Sequence, residues 1–154
     1  MKKEAKKFIK YLNNNHIEFV EMTIQEENEY KQKWFERVVP ISKQQNAMEC
    51  SCFDTLHSCG YLWHVFSYGI LDYIEKDDAK KAFSNLAKQE AVLLVNWKEL
   101  DGIASYKLND ISKIPVETYN FLTDIILTDS MFRWTYVKTH EIMCGPYLHQ
   151  IHKV

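Results

Sequence analysis

The ten residues from Phe132 to Glu141 constrain this chain most. Phe132, Trp134, Tyr136, Lys138 and His140 fall on one parity, and Arg133, Thr135, Val137, Thr139 and Glu141 on the other. A period of two marks a strand, because successive side chains leave opposite faces of the pleat. Just ahead stand Ile125, Ile126 and Leu127, followed by Asp129-Ser130, an aliphatic strand and then residues that favour turns. Strands joined this closely pair antiparallel.

The remaining pattern adds helices to that sheet. Ala5, Phe8, Ile9 and Leu12 sit at helical spacing, ahead of an Asn13-Asn14-Asn15 stop. Residues 17–22 read as a strand. Thr23 and Glu26 have the spacing of a capping box, and the helix they open carries Tyr30, Trp34 and Val38 and stops before Pro40. A short helix fits 44–48. Residues 61–68 are apolar or aromatic at both parities, the pattern of a strand covered on both sides. Asp77 and Asp78 favour a helix start that leads into Ala79, Ala82, Phe83 and Leu86. Residues 91–97 form the clearest buried strand, with a turn after it at Asp101-Gly102. Pro115 suits the first turn of a short helix that stops near Thr123. The expected architecture is α+β, a single mainly antiparallel sheet with helices packed on a face, in one globular domain spanning residues 1–154.

Composition narrows the function classes. A net charge of −2 argues against a general nucleic-acid binder, whose affinity rests on a basic surface. The basic run Lys2, Lys3, Lys6, Lys7, Lys10 reads as the solvated side of the first helix. No signal peptide is visible, since Phe8-Ile9 is followed at once by Lys10. The aliphatic run 91–95 is far short of the roughly 20 residues that span a bilayer. The expectation is a cytoplasmic protein, not in a membrane, with reduced cysteines.

Two stretches carry a family resemblance. Phe132-Arg-Trp134-Thr-Tyr136-Val-Lys-Thr139-His140-Glu141 with Cys144-Gly145-Pro146-Tyr147, and Tyr61-Leu-Trp63-His64-Val-Phe66-Ser67-Tyr68 followed by Asp77-Asp78-Ala79 and Ala82-Phe83, resemble a family of small bacterial proteins described only as a domain of unknown function. The resemblance covers most of the chain after about residue 50. It implies a small, soluble, single-domain bacterial protein and assigns no activity.

Several constellations are candidates for chemistry. Cys50, Cys52, His57 and Cys59 offer the soft ligands that structural zinc takes, but the Cys-x-Cys spacing departs from the usual knuckle, so no cofactor is expected. Cys144 follows His140 by four residues, within reach of a thiol–imidazole pair. His64 among apolar neighbours reads as a hydrogen-bonded core residue. Were it to meet His140 across adjacent strands, the two imidazoles with Asp54 or Glu141 would suit a divalent metal. His140 and Glu141 are consecutive, so they point apart unless the strand ends there. Phosphate loops, Gly-x-Gly-x-x-Gly, the Gly-x-Ser-x-Gly elbow and His-Glu-x-x-His are all absent.

Twenty-one Phe, Trp and Tyr residues either fill an aromatic core or leave some for a partner, where Tyr and Trp are favoured. The leading expectation is a non-enzymatic protein-binding or accessory factor, immunity-type proteins being one example of the class. The alternative is a metal-dependent hydrolase using His64, His140 and a carboxylate. Either way the expected surface runs from Lys138 to Tyr147 with His140 and Glu141, beside His64. Gly145 frees the backbone there and Pro146 fixes its own φ, so the turn should present Tyr147 in few conformations.

Overall fold

The computed structural model describes residues 1–51, 62–95 and 102–151. Its centre is one seven-stranded antiparallel sheet. In chain order the elements are α1 (Lys3–Asn14), β1 (Phe19–Glu21), α2 (Ile24–Val38), α3 (Ile41–Ser51), α4 (His64–Ser67), β2 (Ile74–Glu75), α5 (Lys76–Asn85), β3 (Ala91–Val95), β4 (Tyr106–Leu108), a 3-10 helix (Val116–Phe121), β5 (Ile125–Asp129), β6 (Trp134–Lys138) and β7 (Tyr147–Gln150). The strands lie in the order β1-β4-β3-β5-β6-β7-β2. This is the α+β architecture expected, and helices cover both faces of the sheet.

Period-two patterning explains the two-sided cover. In β3, Ala91, Leu93 and Val95 pack with α1, α5 and the 3-10 helix, whereas Val92 and Leu94 pack with α2, α3 and α4. All five are buried, so β3 reads as a continuous aliphatic run because neither face meets water. On the first face Phe83 stacks on Tyr136 at 4.3 Å and meets Trp134 edge-on at 5.6 Å. On the second, Trp34 donates its indole N–H to Thr135 Oγ1 at 2.8 Å, and Thr128 Oγ1 donates to the Trp134 carbonyl. Each fully buried Leu or Phe of these layers contributes about 1.5–3 kcal/mol, and the paired threonines let polar atoms sit in the core without an unmet hydrogen bond.

Local signals fix the ends of elements. Thr23 Oγ1 accepts the Glu26 amide at 3.1 Å and Glu26 Oε2 accepts the Thr23 amide at 2.9 Å, closing the capping box. The Thr23 backbone N–H, and after it Lys107, holds the Glu26 carboxyl below the usual carboxylate range. The β5–β6 turn is tied by Asp129, whose carboxylate accepts from the Arg133 amide and from Arg133 Nε at 2.6 Å. Gly102 has φ +70°, and a Cβ there would lie 2.8 Å from Met1 Cα, so only glycine fits. Asp101, its partner in the expected turn, and residues 96–97 of the expected strand lie outside the described residues.

Two expectations are corrected. Residues 62–68 do not form a strand: Leu62 and Trp63 enter the short helix α4, with Val65 and Phe66 buried and Tyr68 exposed. Tyr61 lies outside the described residues. A short apolar run carries no period that separates a buried strand from a buried helical turn. The second correction is Phe132, which does not share the face of Trp134 and Tyr136. Its φ of +57° turns it into the α2 layer, 6.4 Å from Tyr30. The parity therefore begins at Trp134.

Candidate binding site at the ends of β5 and β6

The strand β6 ends at Lys138, where the chain bends away from the sheet. Asp124 stands just before β5, and because Ile125 pairs with Lys138 it lies beside the first residues after β6. Its side chain is only 1% exposed. One carboxylate oxygen accepts the His140 amide at 2.6 Å and the other meets His140 Nδ1 at 2.7 Å. A carboxylate only accepts, so Nδ1 carries the proton and the ring is held in one orientation.

Around this pair the end of the sheet becomes a cleft of about 590 Å³. His140 Nε2 lies 3.8 Å from Glu141 Oε1, so the strand end does bring these consecutive residues toward each other. Glu141 Oε2 accepts from the Cys144 thiol at 3.6 Å. The Glu141 carboxylate thus stands beside both the imidazole and the thiol. Lys138 reaches across to the Leu122 and Thr123 carbonyls, so this cation straps the 3-10 helix to β6 as well as lining the cleft.

The turn beyond is closely held. Thr139 Oγ1 donates to the Cys144 carbonyl at 2.6 Å and accepts the Glu141 amide at 3.2 Å, and the Cys144 amide donates to the Glu141 carbonyl at 3.0 Å. These bonds leave Ile142 94% and Met143 80% exposed. Gly145 has φ +79° and starts the return into β7.

One expected surface residue is buried, and another stands beside the corner on a helix where a strand was expected. Tyr147 is not presented by the turn. It is 3% exposed, stacked on Phe66 at 5.7 Å and edge-on to Tyr73 at 4.8 Å. Burial, and then Cys144, pushes its hydroxyl well above the usual tyrosine value. As the first residue of a strand whose inner positions face the core, it belongs to the sheet and not to the corner. His64 opens α4 and cannot face His140 from an adjacent strand. Its Nδ1 pairs with Ser67 Oγ at 2.9 Å, and its ring lies against Trp63 at 3.9 Å. Trp63 in turn meets His140 edge-on at 6.0 Å. Burial holds the His64 imidazole below the usual histidine value; Glu141 and Asp124 oppose that shift and His140 adds to it.

Among the described residues no three His, Cys, Asp or Glu side chains are arranged to hold an ion. Cys50 Sγ donates to the Ala47 carbonyl at 3.4 Å; Cys52, Asp54, His57 and Cys59 lie outside the described residues. The residue that sequence reasoning missed is Asp124. The β5–β6 register would have found it, because a turn at 129–130 places residue 124 opposite the start of the His140 corner. Among the described residues no helix is long and apolar enough to cross a membrane.

No curated protein and no solved structure matches the chain. A family model matches residues 6–148, taking in every described strand but the end of β7 and the whole Asp124–His140 corner. On that match the chain belongs to the family described as Domain of unknown function (DUF4275).

Proposed function

We propose that this protein is a non-enzymatic binding module for another protein and that the turn after β6 is its contact. The observation that carries this is the exposure of Ile142 and Met143 on a turn fixed by three hydrogen bonds. Single exposed apolar residues are ordinary. Two adjacent large ones on a pre-ordered loop are a different case, because the backbone entropy of ordering is already spent before a partner arrives. Burying both side chains contributes roughly 3–6 kcal/mol, taking about 1.5–3 kcal/mol for each, less about 0.5–1.5 kcal/mol for each immobilised side chain. That is the size of contribution a small hot spot makes to an interface. The occupant that fits is a protein surface with an apolar recess; an accessory or immunity-type factor would work this way.

The test places a photo-activatable cross-linking residue at position 142 of the full chain in extract from its native cells. The expected result is one reproducible cross-linked partner, displaced by excess unlabelled protein. The Ile142→Ser/Met143→Ser double variant should not displace it. Equal competition by the double variant would sink the reading, as would a smear of unrelated proteins.

A further inference from the structure

The cleft beside the turn has a charge balance that the contact of Ile142 and Met143 does not use. Lys2 and Lys3 reach it from the start of α1, Lys80 from α5 and Lys138 from β6; the carboxylates that line it are Glu4 and Glu141. Four lysines against two carboxylates line it, in a chain whose net charge is −2, and the buried Asp124 carboxylate behind His140 adds one further negative charge at the wall. Glu4 is drawn aside by Lys7 at 3.1 Å, and Lys80 pairs at 3.9 Å with the fully exposed Asp77. Lys2 caps α1 with no side chain accepting there, and Lys3 is its first residue. Cations at that end oppose the helix dipole, so their position does not serve the helix.

We propose that this cleft takes a phosphate monoester group. A phosphoryl group carries about −1.5 to −2 charge at pH 7 and three strong acceptor oxygens, which suits a lining where lysines from three elements outnumber the carboxylates. A carboxylate offers one charge and two oxygens, and so fewer acceptors to those lysines. Asp124 acts as the positioning residue, fixing the His140 ring in the cleft wall. Glu141 is the built-in competitor: its carboxylate lies 3.8 Å from His140 Nε2 on the exposed turn, where an incoming anion would be repelled until it moves. The phosphoryl group is either free, on a small molecule, or carried by the bound protein; only the second source rests on the partner reading.

Inorganic phosphate is the first probe, titrated into the full-length ¹⁵N-labelled protein at pH 7.0 and fixed ionic strength, with chloride as the screening control. Saturable shifts are expected at Thr123 and at the amides from Thr139 to Gly145. Glu141→Gln should tighten the apparent Kd at least threefold, and Lys80→Glu should weaken it at least fivefold. Both side chains are solvent-exposed, and thermal melts establish that each variant stays folded. Met143 does not line the cleft, so Met143→Ser should weaken the partner contact and leave phosphate affinity unchanged. Shifts that rise linearly and match chloride overturn the proposal, as does an affinity indifferent to both charge changes. The second probe is a short phosphoserine peptide with flanking leucines. Binding at least tenfold tighter than inorganic phosphate assigns the group to a partner chain, and equal affinity assigns it to a free small molecule.

Discussion

Replacing Asp124 by Ala removes the acceptor of two hydrogen bonds at once, and the structure allows the loss to be sized. The amide bond from His140, at 2.6 Å to a carboxylate 1% exposed, belongs to the class with a charged partner, about 1.5–3 kcal/mol. The ring bond at 2.7 Å counts for less, because the His140 side chain is 42% exposed and water can replace Asp124; about 0.5–1 kcal/mol is the share of a screened pair. Relief from burying a carboxylate offsets part of the sum, leaving ~3 kcal/mol or somewhat less. For a chain of this length each kcal/mol moves the midpoint by roughly 2–4 °C, so circular dichroism melts should show Asp124→Ala lower by roughly 6–12 °C. Asp124→Asn keeps one oxygen for the amide but turns an N–H₂ toward Nδ1. It should cost only about 1 kcal/mol and move the ring proton to Nε2, read directly from long-range ¹H–¹⁵N correlations of His140. A midpoint within about 2 °C of the parent for Asp124→Ala (on the scaling above), or an unchanged tautomer in Asp124→Asn, would refute the role given to this carboxylate.

Three further outcomes are expected. Tyr147→Ala should be a core truncation costing about 3–5 kcal/mol by analogy with Phe→Ala, with a matching fall in the urea midpoint; a change under about 1 kcal/mol would return Tyr147 to the surface. His64 has a folded pKa below its unfolded value of about 6.5, so the unfolded chain takes up the proton first and stability falls as pH drops from there through the folded pKa. His64→Gln should flatten that slope between pH 7.5 and 5 in urea melts, and an unaltered slope would assign acid loss elsewhere. Lys88, whose pKa burial lowers, donates to the Phe83 and Leu86 carbonyls at 2.5 and 3.1 Å and lies 4.5 Å from the Phe83 ring. Lys88→Met should cost about 1–2 kcal/mol and speed hydrogen exchange in the last turn of α5; unchanged exchange would contradict this capping role.

What could be read from the residues was whatever depends on near neighbours. The capping box needs only Thr23 and Glu26, three apart. The aliphatic run at 91–95 needs only its own burial, and the alternation from Trp134 onward needs only the pleat. The misses share a cause in non-local geometry. Phe132 left its parity because one positive φ at a turn rotates everything before it, and no propensity announces that at a phenylalanine. Residues 62–68 became a helical turn because α2 and α3 bury them from outside, which erases periodicity. Of the corner, Lys138, His140 and Glu141 were legible as the end of a strand. Asp124, sixteen residues earlier than His140, becomes visible only when two strands are laid in register, and Tyr147 looked exposed because a Gly-Pro pair marks a turn without saying which side of it faces the core.

The order of strands in the sheet also bears on how the protein is made. Among the described residues β1 pairs only with β4, and β2 only with β7, Ile74 lying against Leu148. Both outer strands thus leave the ribosome long before their partners exist. α1 likewise rests on the 3-10 helix at 116–121. The early part of the chain must wait, apolar faces uncovered, while β5, β6 and β7 are translated at some 5–20 residues per second. Closure of such distant pairs is slow relative to local hairpins, so the hairpin of β5 and β6 is the natural nucleus. Nascent chains stalled before β7 should therefore be the ones that chaperones hold.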